Sequence, residues 1–106
     1  ANAAKQALLG VPAELLERHG AVSEPVAAAM ADGCRRRLAA DWALAVTGIA
    51  GPGGGSEDKP VGLAYTALAG PAGTTVARHL FPGAREHIRE RSAMAALNEL
   101  RLAMQG

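Results

Sequence analysis

The sequence predicts an α/β fold built around a single hydrophobic core. A short apolar run, Trp42–Val46, is typical of a strand that is buried on both faces. Two further apolar runs flank the turn signal Gly-Pro-Ala-Gly at 70–73 and predict an antiparallel hairpin. Between residues 24 and 38 apolar residues recur every fourth position, as on one side of a helix: Val26, Met30, Cys34 and Leu38. The chain of 106 residues has room for one domain.

Capping and stop signals predict four helices. Asn2 and Ser23 are suitable N-caps, whereas Gly10 and Gly20 end helices in the left-handed conformation that glycine favours. Pro82-Gly83 breaks the chain before the last helix. The helices are expected over about 3–9, 13–19, 24–38 and 84–104. The last one is expected to turn an apolar stripe inward: Ala93, Leu97, Leu100 and Met104.

Three strands are predicted, at Trp42–Val46, Val61–Leu68 and Thr74–Phe81. The third carries Arg78 and His79, and these exposed polar residues suit the edge of a sheet. A strand buried on both faces needs a neighbour on each side, and only one neighbour is visible in the sequence. We therefore expect that the other precedes Ala1, and that residues 1–106 are a domain without its first strand or strands and first helix.

Composition excludes several classes of function. The formal net charge of +1 and the absence of basic runs interleaved with aromatic residues argue against nucleic acid binding. No apolar run approaches the roughly 20 residues that a membrane span needs. The single cysteine, Cys34, suits a buried thiol in a reducing compartment, so a cytoplasmic location is expected. The three histidines are scattered, without the spacing of a metal site, and no metal or cofactor is expected.

The segment 47–55 is the most informative part of the chain. Residues 48–55 contain five glycines and directly follow the predicted strand Trp42–Val46. Glycine costs backbone entropy, so this concentration favours a close approach of the backbone to a ligand, or N–H groups that point at an anion. Open α/β sheets usually bind ligands at the carboxyl ends of strands. A mobile surface loop is the alternative.

Two named glycine motifs do not match this loop. A phosphate-binding P-loop ends in Gly-Lys-Ser/Thr, whereas this loop continues Gly55-Ser56-Glu57. A dinucleotide fingerprint requires a third glycine where this chain has Ser56, and it is followed by a helix where this chain predicts a strand.

Four blocks of the sequence, in order, resemble the CinA C-terminal domain family, also called the nicotinamide mononucleotide deamidases. They are His19–Glu24, Val46–Gly54, Lys59–Gly62 and Phe81–Gly83, the last followed by Arg85 and Arg89. The resemblance covers essentially the whole chain. It implies a three-layer α/β/α sandwich around a mixed sheet, in which the strand near 61–68 runs antiparallel to the rest. It also implies hydrolysis of nicotinamide mononucleotide to nicotinate mononucleotide and ammonia without a cofactor.

The resemblance also implies a catalytic constellation of the serine–lysine amidase type. Asn2-Ala3-Ala4-Lys5 matches the end of the family's lysine segment, so Lys5 takes the place of the catalytic lysine. The family's tyrosine would stand one residue before Ala1, and its serine further upstream. A lysine can deprotonate a serine only when its pKa is lowered towards neutrality. We expect these 106 residues alone to be inactive.

The other candidate site residues would bind substrate. They are Asn2, Thr47, Gly48, Ala50, Gly51, Gly53, Gly54, Arg85 and Arg89. The glycine loop would hold either the oxyanion or the phosphate, and Thr47 would add a hydroxyl to either task. Arg85 and Arg89 are one helical turn apart, so both could face one anion. Pairing with Glu86 and Glu90 on a solvated face is equally compatible with the sequence.

Two functions from different classes therefore remain open. The first is the amidohydrolase, and the alternative is a non-catalytic nucleotide-binding or regulatory module derived from the same fold. Within the first class, a small amidase that acts on another substrate is also open. In either case the expected partner is a small-molecule mononucleotide. A homo-oligomer is also expected, because the alanine-rich last helix and the exposed third strand could each form a two-fold interface.

Overall fold

The structure is a computed structural model that describes residues 10–51 and 53–105. Its elements along the chain are helix α1 (Ala13–His19), helix α2 (Glu24–Leu38), strand β1 (Ala43–Gly48), strand β2 (Leu63–Gly70), strand β3 (Gly73–Leu80) and helix α3 (Arg85–Gln105). The helix predicted over 3–9 lies outside the described residues. Within the described part of the chain, none of the helices has the length and apolarity that crossing a membrane requires.

The three strands form one sheet in the order β1-β2-β3, with both pairs antiparallel. The central strand β2 therefore runs against both neighbours, as the resemblance implies. Gly70 pairs with Gly73 across a tight turn, which closes the predicted hairpin. The mixed sheet that the resemblance implies would need a parallel pair, and all pairs between the described strands are antiparallel.

The sheet has a helix on each face. Alanines at alternate positions of β1 and β2 pack against α2 in one core cluster, among them Ala45 and Ala67. Thr66, the neighbour of Ala67 in β2, instead bonds Glu99 of α3. Because successive side chains of a strand point to opposite faces, α2 and α3 lie on opposite sides of the sheet. This is the three-layer α/β/α arrangement, and its small core side chains let α2 lie close to the strands.

The first strand differs from its prediction in length and in burial. It extends to Gly48, because Thr47 pairs with Tyr65 and Gly48 with Ala64. It is also not buried on both faces: Ala43, Ala45 and Thr47 are buried, whereas Val46 is 38% exposed. The glycine loop therefore begins at Ile49. The hairpin strands are shifted by one or two residues from the predicted spans, to Leu63–Gly70 and Gly73–Leu80.

The predicted inward stripe of the last helix is wrong. The buried residues of α3 are Ile88, Ser92 and Ala96, whereas Leu97 is 54% and Met104 62% exposed. Burial of Ser92 is possible because its hydroxyl donates a hydrogen bond to the carbonyl of Ile88, so that no polar atom is left unsatisfied.

Smaller corrections concern α2 and β3. Leu38, predicted on the apolar stripe of α2, is 71% exposed at the last residue of the helix. Cys34 is half-buried and packs against the core.

Ser23 occupies the N-cap position, yet its hydroxyl donates to the carbonyl of Gly20 instead of capping the helix. His79 is half-buried on β3, where it stacks on Phe81, whereas Arg78 is exposed as predicted.

Candidate functional site

The glycine loop leaves the sheet at the carboxyl end of β1 and returns at the start of β2. Its base is closed by two backbone hydrogen bonds, from Ile49 N to Leu63 O at 2.9 Å and from Gly62 N to Ile49 O at 2.7 Å. Gly51 is buried and has a φ of 81°, a conformation in which other residues are strained. A β-carbon there would lie 2.6 Å from Cγ1 of Val61. Glycine at 51 therefore lets the loop fold back against its own return segment.

The start of α3 lies beside this loop. Arg85, the first residue of the helix, donates a hydrogen bond from its guanidinium to the carbonyl of Gly51 at 3.2 Å. Arg89 follows one turn later on the same side of the helix. Within the described residues neither arginine forms an ion pair with Glu86 or Glu90. The pairing with acidic neighbours that the sequence left open is therefore not the arrangement in the structure.

A pocket of about 220 Å³ lies between β1, the loop and α3. Its lining residues are Val46, Gly48, Ala50, Ile88, Arg89, Ser92 and Ala93. The lining is mostly apolar, and Arg89 is its one charged residue. Gly48 lets β1 pass close to the neighbouring strand, since a β-carbon there would lie 2.9 Å from the carbonyl oxygen of Leu63. The pocket suits a ligand that combines a flat apolar part with an anionic group.

The structure brings together five of the sequence-predicted site residues: Gly48, Ala50, Gly51, Arg85 and Arg89. Gly53 and Gly54 belong to the exposed outer part of the loop and do not line the pocket. Asn2 and Lys5 lie outside the described residues.

Thr47 is placed differently from the expectation. It is only 5% exposed, and its hydroxyl donates to the carbonyl of Ala21 at 2.8 Å. The side chain points to the α2 face of the sheet, whereas the pocket lies on the α3 face. The structure thus assigns Thr47 to a bond between β1 and the segment that joins α1 to α2, and its hydroxyl proton is already used there.

Part of the pocket wall lies outside the residues that the sequence patterns predict. Ile88, Ser92 and Ala93 were not among the candidates, although they lie three to eight residues after Arg85 and within four of Arg89. The i, i+3 and i, i+4 spacing that groups the two arginines on one side of a helix also groups these residues with them. This spacing could have identified the three residues. The inward face of the helix was predicted instead at other positions.

Comparisons with known proteins show the family to which this chain belongs. Residues 1–104 match the CinA C-terminal domain. This chain belongs to the CinA C-terminal domain family. A CinA-like protein from Anaeromyxobacter sp. (strain Fw109-5) is 61% identical over 104 residues, which make up 98% of this chain and 25% of that protein. A CinA-like protein from Mycolicibacterium vanbaalenii is 60% identical over an alignment of 107 positions, which covers 99% of this chain and 25% of that protein.

Solved structures of the family superpose closely on this chain. The competence/damage inducible protein CihA from Agrobacterium tumefaciens matches with a TM-score of 0.93 and 42% identity, over all of this chain and 65% of that one. A competence or damage-inducible protein from Enterobacter asburiae matches with a TM-score of 0.91 and 35% identity, over 97% of this chain and 65% of that one. The chain thus spans about a quarter of the length of the curated relatives it matches and just under two thirds of these solved chains.

Proposed function

We propose that the intact protein is an amidohydrolase that converts nicotinamide mononucleotide to nicotinate mononucleotide and ammonia. The observation that carries the proposal is the pocket at the carboxyl end of β1, where Arg89 adds a single cation to a mostly apolar lining. A pyridine mononucleotide has a matching combination of a flat ring and a phosphate. The chain belongs to the CinA C-terminal domain family, and the resemblance to that family implies this reaction. Family membership therefore supports the same substrate.

The glycine loop has the properties that either of two tasks requires. Loop N–H groups that are fixed before the reaction can stabilise the oxyanion that forms when the amide carbon is attacked, typically by about 3 kcal/mol for each donor. The same groups can bind a phosphate. In this proposal Lys5 deprotonates the attacking serine, which lies outside this chain, and Asn2 with the loop positions the substrate. Arg85 acts through its bond to the carbonyl of Gly51, which holds the loop beside the pocket.

Ammonia release from nicotinamide mononucleotide by the intact protein tests the proposal. Arg89→Met should raise KM by about 10- to 100-fold, because it removes a charge-assisted contact to the substrate. Arg91→Met is the matched control, since Arg91 is exposed on the other side of the same helix, and it should leave KM within twofold. Equal effects of the two substitutions would contradict the role of Arg89.

The same assay separates the enzyme from its alternative. A non-catalytic nucleotide-binding module would bind nicotinamide mononucleotide with an affinity that depends on Arg89, yet would release no ammonia. Binding without turnover by the intact wild-type protein would therefore replace the amidohydrolase with the binding module.

A further inference from the structure

We propose that Lys59 is a positioning residue that fastens the outer end of the glycine loop to the carboxyl end of α1. The ammonium group of Lys59 donates a hydrogen bond to the carbonyl of His19 at 2.6 Å. The two residues are 40 positions apart in the sequence, and the bond is partly buried. The inference builds on the proposed function, because the loop that Lys59 holds is the one that would contact the substrate.

The acceptor of this bond is well suited to a cation. His19 is the last residue of α1, and the last carbonyls of a helix have no partner within the helix. They also carry the partial negative charge of the helix dipole. A half-buried lysine at this point satisfies an unpaired carbonyl and places its charge where the field favours it.

The bond of Lys59 belongs to a set of three. The consecutive carbonyls of residues 19, 20 and 21 each accept a hydrogen bond from a different side chain: Lys59 Nζ, Ser23 Oγ and Thr47 Oγ1 respectively. Ser23 bonds within its own turn and Thr47 fixes the strand. Only Lys59, of these three, ties the glycine loop to the carboxyl end of α1.

The loop is thereby held from both faces of the sheet. On the α3 side Arg85 bonds the carbonyl of Gly51, near the beginning of the loop. On the α2 side Lys59 bonds His19, near its end. Between these two anchors residues 53–58 are exposed, and the turn at their end is closed by bonds in both directions between Ser56 and Lys59. A glycine-rich segment with few buried contacts opens easily unless its ends are fixed. Loss of the Lys59 anchor therefore frees this segment.

Limited proteolysis of the intact protein, without ligand, tests the inference. A glutamate-specific protease can cut after Glu57, which lies in the exposed segment between the anchors. Lys59→Met should speed this cleavage by about tenfold or more, the effect expected for loss of a hydrogen bond to a charged donor. Lys59→Arg keeps a cationic donor and should stay within about threefold of wild type. Arg36→Met removes an exposed cation at the far end of α2 and should leave the rate unchanged.

Two outcomes would overturn the inference. The first is that the protease cleaves the Lys59→Met variant after Glu57 at the wild-type rate, which would show that Lys59 does not hold the loop. If KM for nicotinamide mononucleotide rises in the same variant, Lys59 contacts the substrate directly. The second is a general loss of stability. In that case Lys59→Met speeds cleavage after the helical Glu90 as much as cleavage after Glu57, and Thr47→Val, which removes a neighbouring bond, does the same. The proteolysis does not require turnover, so it decides the role of Lys59 even if the protein proves not to hydrolyse nicotinamide mononucleotide.

Discussion

Replacing Gly62 with alanine is expected to destabilise the domain by about 3–5 kcal/mol, a large part of the stability of a typical domain. Gly62 has a φ of 98°, which costs an L-residue free energy of its own. A β-carbon at this position would also overlap the carbonyl oxygen of Phe81. The backbone cannot move aside easily, because Gly62 donates to Ile49 at 2.7 Å and accepts from Phe81 at 2.9 Å.

Chemical denaturation of the intact protein measures this effect, with Gly53→Ala as the matched control. A β-carbon at Gly53 would meet no atom within 4 Å, and the residue is exposed. Its substitution should therefore change the free energy of unfolding by no more than about 0.5 kcal/mol. If the two variants unfold at the same denaturant concentration, the close contact between the base of the loop and the residue after β3 does not exist in solution.

The second large effect is expected at Lys5. Lys5→Ala should lower kcat for nicotinamide mononucleotide about a thousandfold or more, because an unactivated serine hydroxyl attacks an amide poorly. The measurement is ammonia release under saturating substrate. Near-normal turnover in this variant would remove Lys5 from the mechanism.

Lys5→Arg separates a base from a mere positive charge. Arginine keeps the charge but does not lose its proton at any ordinary pH, so it cannot accept one from serine. If Lys5 is the base, the arginine variant should be as inactive as the alanine variant. Recovery of most of the activity in Lys5→Arg would show that only the charge matters.

Local signals predicted the architecture well. The turn at 70–73 fixes the direction of β3 relative to β2, because so short a connection allows only an antiparallel pair. Cap and stop residues placed α1 at its observed bounds, Ala13–His19. What these signals could not give was the side on which α3 is buried. This helix carries apolar residues on more than one side, and its buried position 92 is a serine that bonds its own helix.

The site was predictable where it depends on backbone conformation and not where it depends on contacts between distant elements. Gly51 could be recognised because a glycine cluster after a strand indicates unusual dihedral angles. The bond from Arg85 to its carbonyl spans 34 positions, and that from Lys59 to His19 spans 40. Neither leaves a periodic trace in the sequence. Thr47 was misjudged for the same reason, since its acceptor, the carbonyl of Ala21, is 26 positions away.

A crystal structure of the intact protein with bound nicotinate mononucleotide would show whether the pocket beside the glycine loop holds the substrate, because the product is not consumed. We expect the product to lie between β1 and α3, with one of its anionic groups within about 3 Å of the Arg89 guanidinium. The pyridine ring should contact the apolar wall near Val46 and Ala93, with the glycine loop closed over the ligand. Product bound instead in the open groove between Phe81 and Met94, on the other side of α3, would show that the pocket beside the glycine loop is not the substrate site.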